Sequence, residues 1–365
     1  MKRLLSLLLC CLMLSGCGQA SPIPSAQANP RPDHTAAEVA LARPAMPKPY
    51  NYTLTFAGDV SLADGSDPVK AYQRHGLEGC FSPEILDAMR SADLMCLNSE
   101  FAFTTRGTKT EKNFNFRGDP ERVHILEDMG VDVAILANNH VFDYGEVGLT
   151  DTINTFKNSI IQGVGAGENL DEASATYYAQ LENCTVAFVA GCRVEWSGQT
   201  RGATDTQSGV FRTAESNALL LQRVTEAREK ADFVVVYMHW GMEGTDQPEP
   251  YQLATGKQLI EAGADVVVGD HPHQLQGIDF HHGKPIFYSI GNYWFSRFPK
   301  YTTLLNMELH RDASGNVWAD YRLTPAWTEG GRVTTVSNEG AFYRHVQNLC
   351  PDGVTIDDQG YVRES

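Results

Sequence analysis

Seven short runs of apolar residues constrain the fold of this 365-residue chain more than any other feature of its sequence. The runs are rich in Val, Ile and Phe, and their apolar residues are continuous rather than alternating with polar ones. Continuous runs of this kind are typical of strands that are buried on both faces of a sheet. The strand candidates are residues 52–57, 94–97, 133–137, 185–190, 233–238, 266–268 and 285–289.

Segments with helical character lie between these strand candidates. They comprise residues 83–90, 120–129, 148–159, 214–230 and 251–262. Strands that alternate with helices predict a layered α/β domain. Residues 303–310 and 317–325 flank the turn sequence Asp312-Ala313-Ser314-Gly315. They predict an antiparallel pair of strands, which suggests a second sheet.

The N-terminal end of the chain predicts export. A basic Met-Lys-Arg start precedes an apolar stretch, residues 4–14, which is too short to span a membrane as a helix. Residues 14–17, Leu-Ser-Gly-Cys, resemble a bacterial lipobox, in which Cys17 is lipidated and becomes the new N-terminus. An ordinary secretory signal peptide is the alternative. We expect a lipoprotein signal peptide over residues 1–17 and a protein that is extracytoplasmic and lipid-anchored to the bacterial cell membrane.

Residues 18–49 are rich in Pro, Ala and Ser, and this composition predicts a semi-extended tether. Five cysteines follow Cys17 in the rest of the chain, and no Cys-x-x-Cys spacing occurs among them. Cys96 lies in an apolar run and is expected to be a small core residue. A disulfide between Cys184 and Cys192 is compatible with an extracellular location, but that location does not require it.

The net charge of −16 argues against nucleic acid as a partner, because phosphate contacts need a basic surface. An acidic polymer would also be repelled, unless bound metal ions or local basic loops reverse the field. One basic island does occur: Arg106, Lys109, Lys112 and Arg117 lie in the loop after Glu100. We expect this island to be a clamp for phosphate or carboxylate, and a solvated loop is the alternative.

Polar motifs follow five of the strand candidates at their carboxyl ends. Open α/β sheets place ligand sites at this edge. Asp59 alone is compatible with a turn cap, and His239 alone with a buried core histidine, so the prediction of a site depends on the whole set. The motifs are Gly58-Asp59, Asn98-Ser99-Glu100, Asn138-Asn139-His140 with Asp143, His239-Trp240-Gly241 and Asp270-His271-Pro272-His273.

The last of these motifs points most directly to a metal. Two imidazoles separated by one proline, which stiffens their spacing, are difficult to explain by structure alone. Imidazole is a preferred ligand of borderline metals such as Zn, Fe or Mn. Together the motifs supply carboxylates, an amide and three imidazoles. That number suits two metal ions that share a bridging carboxylate, whereas a single Zn needs only three or four ligands.

The order of these motifs, followed by Pro-Ile-Phe-Tyr-Ser-Ile-Gly-Asn at residues 285–292, resembles the CapA family. This is a family of poly-γ-glutamate capsule synthesis proteins within the calcineurin-like metallophosphoesterase superfamily. The resemblance covers residues 52–327. It implies a four-layer α/β/β/α sandwich of the metallo-dependent phosphatase type over residues 50–330, with residues 331–365 as a C-terminal extension.

The resemblance also implies roles for individual residues. His140 would protonate the leaving group, with Asp143 as its partner. Arg106, Lys109, Arg117 and Asn292 are the candidates for substrate binding. The implied ligands of two divalent ions (Mn, Fe, Zn or Mg) are Asp59, Glu100, Asn139, His239, His271 and His273.

Two residues depart from the wider superfamily pattern. Ser61 replaces the histidine of an Asp-x-His motif, so the first metal would lose an imidazole. Glu100 stands where the superfamily has a bridging aspartate. The nearly complete ligand set favours retained metal chemistry, whereas Ser61 indicates weakened or altered catalysis.

The implied function is a dinuclear-metal hydrolase in capsule polymer synthesis or export, acting on an anionic capsule polymer or a phosphoester. Membrane capsule-synthase subunits are expected partners. The alternative is a non-catalytic accessory subunit that binds the polymer. A plain solute-binding protein has no need of His271-Pro272-His273.

Overall fold

The structure, a computed structural model, describes residues 48–194, 200–295 and 298–365. The predicted signal peptide and Cys17, and the predicted tether up to residue 47, lie outside the described residues. Within those ranges, no helix is both long enough and apolar enough to cross a bilayer.

The described residues form helices and strands in an alternating order. The helices are α1 (Asp67–His75), α2 (Pro83–Arg90), a 3-10 turn (Pro120–Arg122), α3 (Val123–Asp128), α4 (Gly145–Lys157), α5 (Leu170–Ala173), α6 (Ala218–Arg228), α7 (Pro250–Ala262) and α8 (Glu339–Gln347). The strands of the first half are β1 (Tyr50–Val60), β2 (Leu94–Ser99), β3 (Ala102–Phe103), β4 (Arg117–Gly118), β5 (Val133–Ile135), β6 (Gln162–Val164), β7 (Ala166–Gly167), β8 (Tyr177–Gln180), β9 (Thr185–Arg193) and β10 (Gly209–Val210). Those of the second half are β11 (Phe233–Trp240), β12 (Val266–Asp270), β13 (Ile278–His281), β14 (Lys284–Phe287), β15 (Asn292–Trp294), β16 (Lys300–Arg311), β17 (Val317–Glu329), β18 (Arg332–Thr335), β19 (Val354–Ile356) and β20 (Tyr361–Glu364).

The first sheet is mixed. Its strand order is β19-β20-β17-β16-β1-β2-β5-β6, with β15 also paired to β1 and β18 to β17. Strands β1, β2, β5 and β6 run parallel, whereas β16 runs antiparallel to β1 from the pair Tyr50–Arg311 to the pair Phe56–Leu305.

The prediction that residues 303–310 and 317–325 begin a second sheet is therefore wrong. They do form the antiparallel pair β16–β17, but β16 joins the first sheet because it hydrogen-bonds along β1. Residues 331–365, expected to be an extension, add β18, β19 and β20 to the same sheet.

The second sheet has the order β13-β14-β12-β11-β9-β8, and alternate residues of its strands face different layers. Val235 and Tyr237 belong to the apolar cluster that the first sheet also forms, and Phe188 lies 6.3 Å from Phe56 between ring centroids. Val234 and Val236 pack instead with residues of α6 and α7. Helices α2, α3 and α4 pack with the first sheet. The predicted four-layer α/β/β/α sandwich is confirmed.

Most predicted segments are present, with different ends. The helix predicted over residues 83–90 coincides with α2, whereas residues 120–129 divide into a 3-10 turn and α3. The disulfide considered between Cys184 and Cys192 does not form, and both thiols are free and buried. Strand β9 separates the two residues in an extended conformation, at roughly 3.3 Å per residue, so their side chains cannot meet.

Two glycines allow residues 288–291 to cross the ends of both sheets. A Cβ atom at Gly58 would lie 1.8 Å from the carbonyl oxygen of Gly291, and one at Gly269 would lie 2.2 Å from that of Tyr288. The Asp59 amide donates to the Gly291 carbonyl at 3.1 Å. The close approach therefore ties the segment to the residues that precede Asp59 and Asp270.

We predict that Gly58→Ala lowers the free energy of unfolding by about 3 kcal/mol, because the added methyl group would overlap a backbone carbonyl that cannot move alone. Urea denaturation measures this change. Gly340→Ala is the control, since a Cβ there meets no atom closer than 3.4 Å. Equal stability of the two variants would contradict the close approach.

Candidate metal centre

The strand register places the polar motifs of both sheets at one edge. In the first sheet, Asp59 lies beside Asn98 of β2 and beside Asn292 of β15. In the second sheet, His239 lies beside Asp270. The carboxyl ends of the two sheets therefore bring together side chains that are far apart in the sequence.

The six predicted ligands form one cluster with two groups of contacts, and all of them are buried except His273, which is partly exposed. In the first group, the Nδ1 atom of His273 lies 3.0 Å from Asp59 Oδ2 and 2.6 Å from Asn292 Oδ1. In the second group, His239 Nε2 lies 3.1 Å from His271 Nδ1 and 2.8 Å from Asn139 Oδ1.

Glu100 stands between the two groups. It can share a metal ion with Asp59 and His273, and another with His239 and His271, because the ligand atoms in each set of three lie within 4.8 Å of one another. Its Oε1 atom lies 3.5 Å from His239 Nε2. Glu100 thus belongs to both candidate sets of ligands, and its bridging role stays a prediction.

The carboxylate of Glu100 is fully buried, and neither of its oxygens has a hydrogen-bond partner. Burial, together with the charges of Asp59 and Asp270, raises the pKa of Glu100 well above its ordinary value. A buried, unsatisfied carboxyl group either holds a proton or pairs with a cation, and a metal ion can take the place of the proton. The donor set of carboxylates, an amide oxygen and imidazoles thus fits divalent metal ions.

The imidazoles of the second group are in the form that binds metals. Burial lowers the pKa of His271 to about 3, and it lowers that of His239 well below its ordinary value. Both rings are therefore neutral near pH 7, with a nitrogen lone pair available for a metal.

Asp59 and His273 behave as an ion pair in the first group. Burial opposes ionisation of Asp59, but the hydrogen bond and charge of His273 lower the pKa of Asp59 below its ordinary value. The same contact raises the pKa of His273 against the effect of burial. A cation at this position would replace the imidazolium proton between the two side chains.

A second layer of hydrogen bonds orients these side chains. Asp270 Oδ1 lies 2.7 Å from His239 Nδ1, and Tyr237 donates to Asp270 Oδ2 at 3.0 Å. Asn98 donates to Asp59 Oδ1 at 2.9 Å, and Asn138 donates to Asn98 Oδ1 at 2.9 Å. Partners of this kind fix the ring orientation of histidine ligands.

Sequence reasoning assigned no role to Asp270 or Asn98. A signal was present for Asp270, because Gly269-Asp270 repeats the pattern Gly58-Asp59 after a buried strand. Asn98 lies in the motif Asn98-Ser99-Glu100, but an asparagine at the end of a strand is also common as a cap, so the sequence did not distinguish the two roles.

The backbone of the His-Pro-His motif is held in an uncommon conformation. His271 and His273 have positive φ angles, 94° and 57°. Non-glycine residues adopt such angles at a cost, and they do so mainly where the surrounding structure has a use for them. Both imidazoles contact other residues of the cluster.

His140 lies beside the cluster and has its own partners. Its Nδ1 atom is 2.7 Å from Asp143 Oδ2, and its Nε2 atom is 3.9 Å from Glu100 Oε1. Burial lowers the pKa of His140, although Asp143 opposes that effect. The predicted pair of His140 and Asp143 is thus in contact, with the Nε2 side facing the ligands.

Residues of the loop after Glu100 hold Asp143 in place. Lys112 forms an ion pair with Asp143, and it also donates to the carbonyl oxygen of Asn139 at 2.7 Å. The amide of Phe116 donates to Asp143 Oδ2 at 2.6 Å, and its ring packs 4.4 Å from the His140 ring between centroids. Lys112, expected to be part of a substrate clamp, has its charge engaged inside the protein.

The other candidates for substrate binding differ in position. Asn292 lines the cavity beside the cluster. Arg106 pairs with Asp151, Arg117 stacks on the Tyr144 ring at 4.5 Å, and Lys109 is exposed. None of these three basic residues is among those that line the cavity. Their role in substrate binding stays a prediction.

Ser61, the residue that departs from the superfamily pattern, also lines this cavity. Its side chain is buried, and its hydroxyl has no hydrogen-bond partner. The hydroxyl is therefore available to a ligand or a water molecule.

Comparison with known proteins identifies similar sequences. Residues 53–297 match the family described as "Bacterial capsule synthesis protein PGA_cap". The "Capsule biosynthesis protein CapA" of Bacillus anthracis is 33% identical, with 67% of this chain and 60% of that protein covered. The "PGA biosynthesis protein CapA" of Bacillus subtilis is 31% identical, with 67% and 63% covered.

A more distant relative comes from Mycobacterium tuberculosis. It bears the name "Probable polyglutamine synthesis accessory protein", and it is 30% identical over 55% of each chain. The match thus spans less than two thirds of the length of each of these relatives.

We predict that Lys112→Met destabilises the protein by about 3–5 kcal/mol, because it leaves the buried carboxylate of Asp143 without its cation. The Lys112 side chain is only 4% exposed. Urea denaturation measures the loss, and the double variant Lys112→Met/Asp143→Asn should recover much of it. Arg106→Met is the matched control, because it removes an ion pair whose arginine is exposed, and its effect should be far smaller.

Proposed function

Because this chain belongs to the bacterial capsule synthesis protein family PGA_cap, we propose that it is a metal-dependent hydrolase of the cell envelope. Its substrate would be a phosphoester or an anionic capsule polymer during polymer synthesis or export. The observation that carries the proposal is the buried, unsatisfied carboxylate of Glu100 between two sets of metal-type donors.

The proposed ligands divide between two ions. Asp59, Glu100 and His273 would hold one, and Asn139, His239 and His271, again with Glu100, would hold the other. Two divalent ions at such a site supply Lewis-acid activation of water and neutralise negative charge on the substrate. We propose two ions, and the candidates for their identity are Mn, Fe, Zn and Mg.

His140 would donate the proton that the leaving group needs. His140 holds its Nδ1 atom against Asp143, so its Nε2 atom faces the cluster. A proton on Nε2 is then positioned for donation to a leaving-group oxygen. Lys112 and the Phe116 amide engage Asp143 and thereby keep the ring in this orientation.

A second candidate function is a non-catalytic accessory subunit that binds capsule polymer beside a membrane synthase. Ser61 supports it, because the first ion would lack the imidazole that the wider superfamily supplies. The name of the Mycobacterium tuberculosis relative describes an accessory role as well. The hydrolase and the accessory subunit would use the same metal ligands. A measurement of turnover therefore distinguishes the two functions, whereas a measurement of metal binding does not.

We predict that His140→Asn keeps the bound metal of the wild type but lowers hydrolysis of β-glycerophosphate by about a hundredfold or more, the usual scale for general acid catalysis, because an alkoxide leaving group needs a proton. Glu100→Gln should lower the metal content itself, because it removes the shared carboxylate charge. Elemental analysis of the purified full chain gives the metal stoichiometry, and release of inorganic phosphate gives the rate.

Two results would change the assignment. Loss of metal in step with activity in His140→Asn would make His140 a ligand. A wild type that binds metal but hydrolyses neither this ester nor γ-glutamyl polymer would favour the accessory function.

The proposal places the protein on the outer side of the bacterial membrane, anchored by a lipid on Cys17. The support is the basic start, the short apolar stretch and the Leu-Ser-Gly-Cys motif of residues 14–17. A lipid anchor and a Pro-rich tether would hold the folded domain near membrane-bound synthase subunits.

We expect Cys17→Ser to move the protein from the membrane fraction to the soluble extracytoplasmic fraction, because no thiol remains to carry the lipid. Immunoblotting of fractionated cells measures the change. Cys11→Ser, in the apolar stretch, is the matched control and should leave the protein in the membrane fraction. Continued membrane retention of Cys17→Ser would contradict the lipobox prediction.

A further inference from the structure

A cavity of about 720 Å³ opens beside the metal-ligand cluster, and its walls combine two kinds of side chain. Its inner end is formed by polar groups of the site, among them Ser61, His140, His273 and Asn292. Its outer part carries four phenylalanines, which we call the phenyl collar: Phe114, Phe116, Phe295 and Phe298.

Three rings of the phenyl collar form a continuous apolar surface that reaches the site itself. Phe116 packs against His140, and Phe295 packs 4.9 Å from His273 between ring centroids. These two phenyl rings meet edge to face at 5.6 Å, and Phe114 stacks on Phe116 at 6.4 Å. An apolar path therefore leads from the two imidazoles to the surface.

The outer rings of the collar are exposed to water. Phe114 is 66% exposed and Phe298 is 60% exposed, and they are the two phenylalanines classed as exposed among the described residues. Both line this one cavity. Contiguous apolar side chains that are exposed beside a polar site mark a binding surface.

The chemistry of phenylalanine restricts what this surface can bind. A phenyl ring has no hydrogen-bonding group, so a chain of carboxylates gains little from it and loses hydration. An alkyl chain gains free energy in proportion to the apolar area that it buries. The collar therefore fits an apolar group rather than a polyanion.

Among the residues that the structure describes, the charged side chains of the cavity do not form a separate anion site at the collar. Lys70 lies 3.5 Å from Asp67, and Lys300 donates to the carbonyl oxygen of His273 at 2.9 Å. Glu243 adds a negative charge to the same wall. An anionic group would thus bind at the metal-ligand cluster, and the apolar part of the same molecule would extend across the collar.

We propose that this cavity selects phosphate esters of apolar alcohols, with the phosphate at the ligand cluster and an alkyl chain across Phe114 and Phe298. This inference rests on the proposed function, because it takes the cluster to be the phosphate end of the site. It adds the class of substrate: an amphiphilic phosphoester rather than a wholly polar polymer.

The test uses methylphosphonate and hexylphosphonate, whose carbon–phosphorus bonds resist hydrolysis, and the full chain loaded with Mn²⁺. Isothermal titration calorimetry gives both affinities. We expect hexylphosphonate to bind at least tenfold more tightly, because each buried methylene adds about threefold to fourfold. In the double variant Phe114→Ala/Phe298→Ala this ratio should fall toward one. Trp318→Ala, which removes an exposed aromatic ring that does not line the cavity, should keep the ratio.

Each other outcome has a distinct meaning. Equal affinities for the two phosphonates in the wild type would overturn the inference and leave the proposed function standing. Failure of the metal-loaded chain to bind either phosphonate would overturn both. If oligo-γ-glutamate binds and loses affinity in the double variant, the phenyl collar serves the polymer, and the inference is wrong.

Discussion

The carboxylate of Glu100 lies in the interior with neither oxygen hydrogen-bonded, and the arrangement around it follows from that fact. Desolvation of an unpaired charge costs several kcal/mol, so the carboxyl group is stable here only with a bound proton, as its raised pKa indicates, or beside a cation. Two neutral imidazoles on one side and the Asp59–His273 pair on the other are suited to hold such cations. The second layer orients two of these side chains, because Asp270 holds His239 and Asn98 holds Asp59.

The cluster lies where the carboxyl ends of the two sheets meet. A backbone segment, rather than a set of side chains, joins the sheets at this point. Residues 288–291 cross directly over Gly58 and Gly269, one glycine from each sheet. Any side chain at either glycine would push the segment away. The segment thus holds the end of β1, which carries Asp59, near the end of β11, which carries His239. His271 and His273 follow β12 and have positive φ angles.

The loop after Glu100 connects this interior to the surface. Lys112 turns inward to Asp143, whereas Phe114 and Phe116 turn toward the cavity. One short segment therefore orients the candidate proton donor and also forms part of the apolar wall beside it. From the sequence, the basic residues of this loop predicted a clamp for phosphate or carboxylate. The buried position of Lys112 shows instead that its charge contributes to internal order.

The sequence by itself determined the elements and most of the cluster. Continuous apolar runs specify strands that are buried on both faces, and the polar motifs after them specify one edge of the sheets. The six residues proposed as ligands do lie together at that edge. Only the tertiary structure decided which strands share a sheet, as when β16 paired with β1. It also decided where Lys112 points and that Asp270 orients His239. These features depend on pairings between residues tens to hundreds of positions apart, and local periodicity carries no information about such pairings.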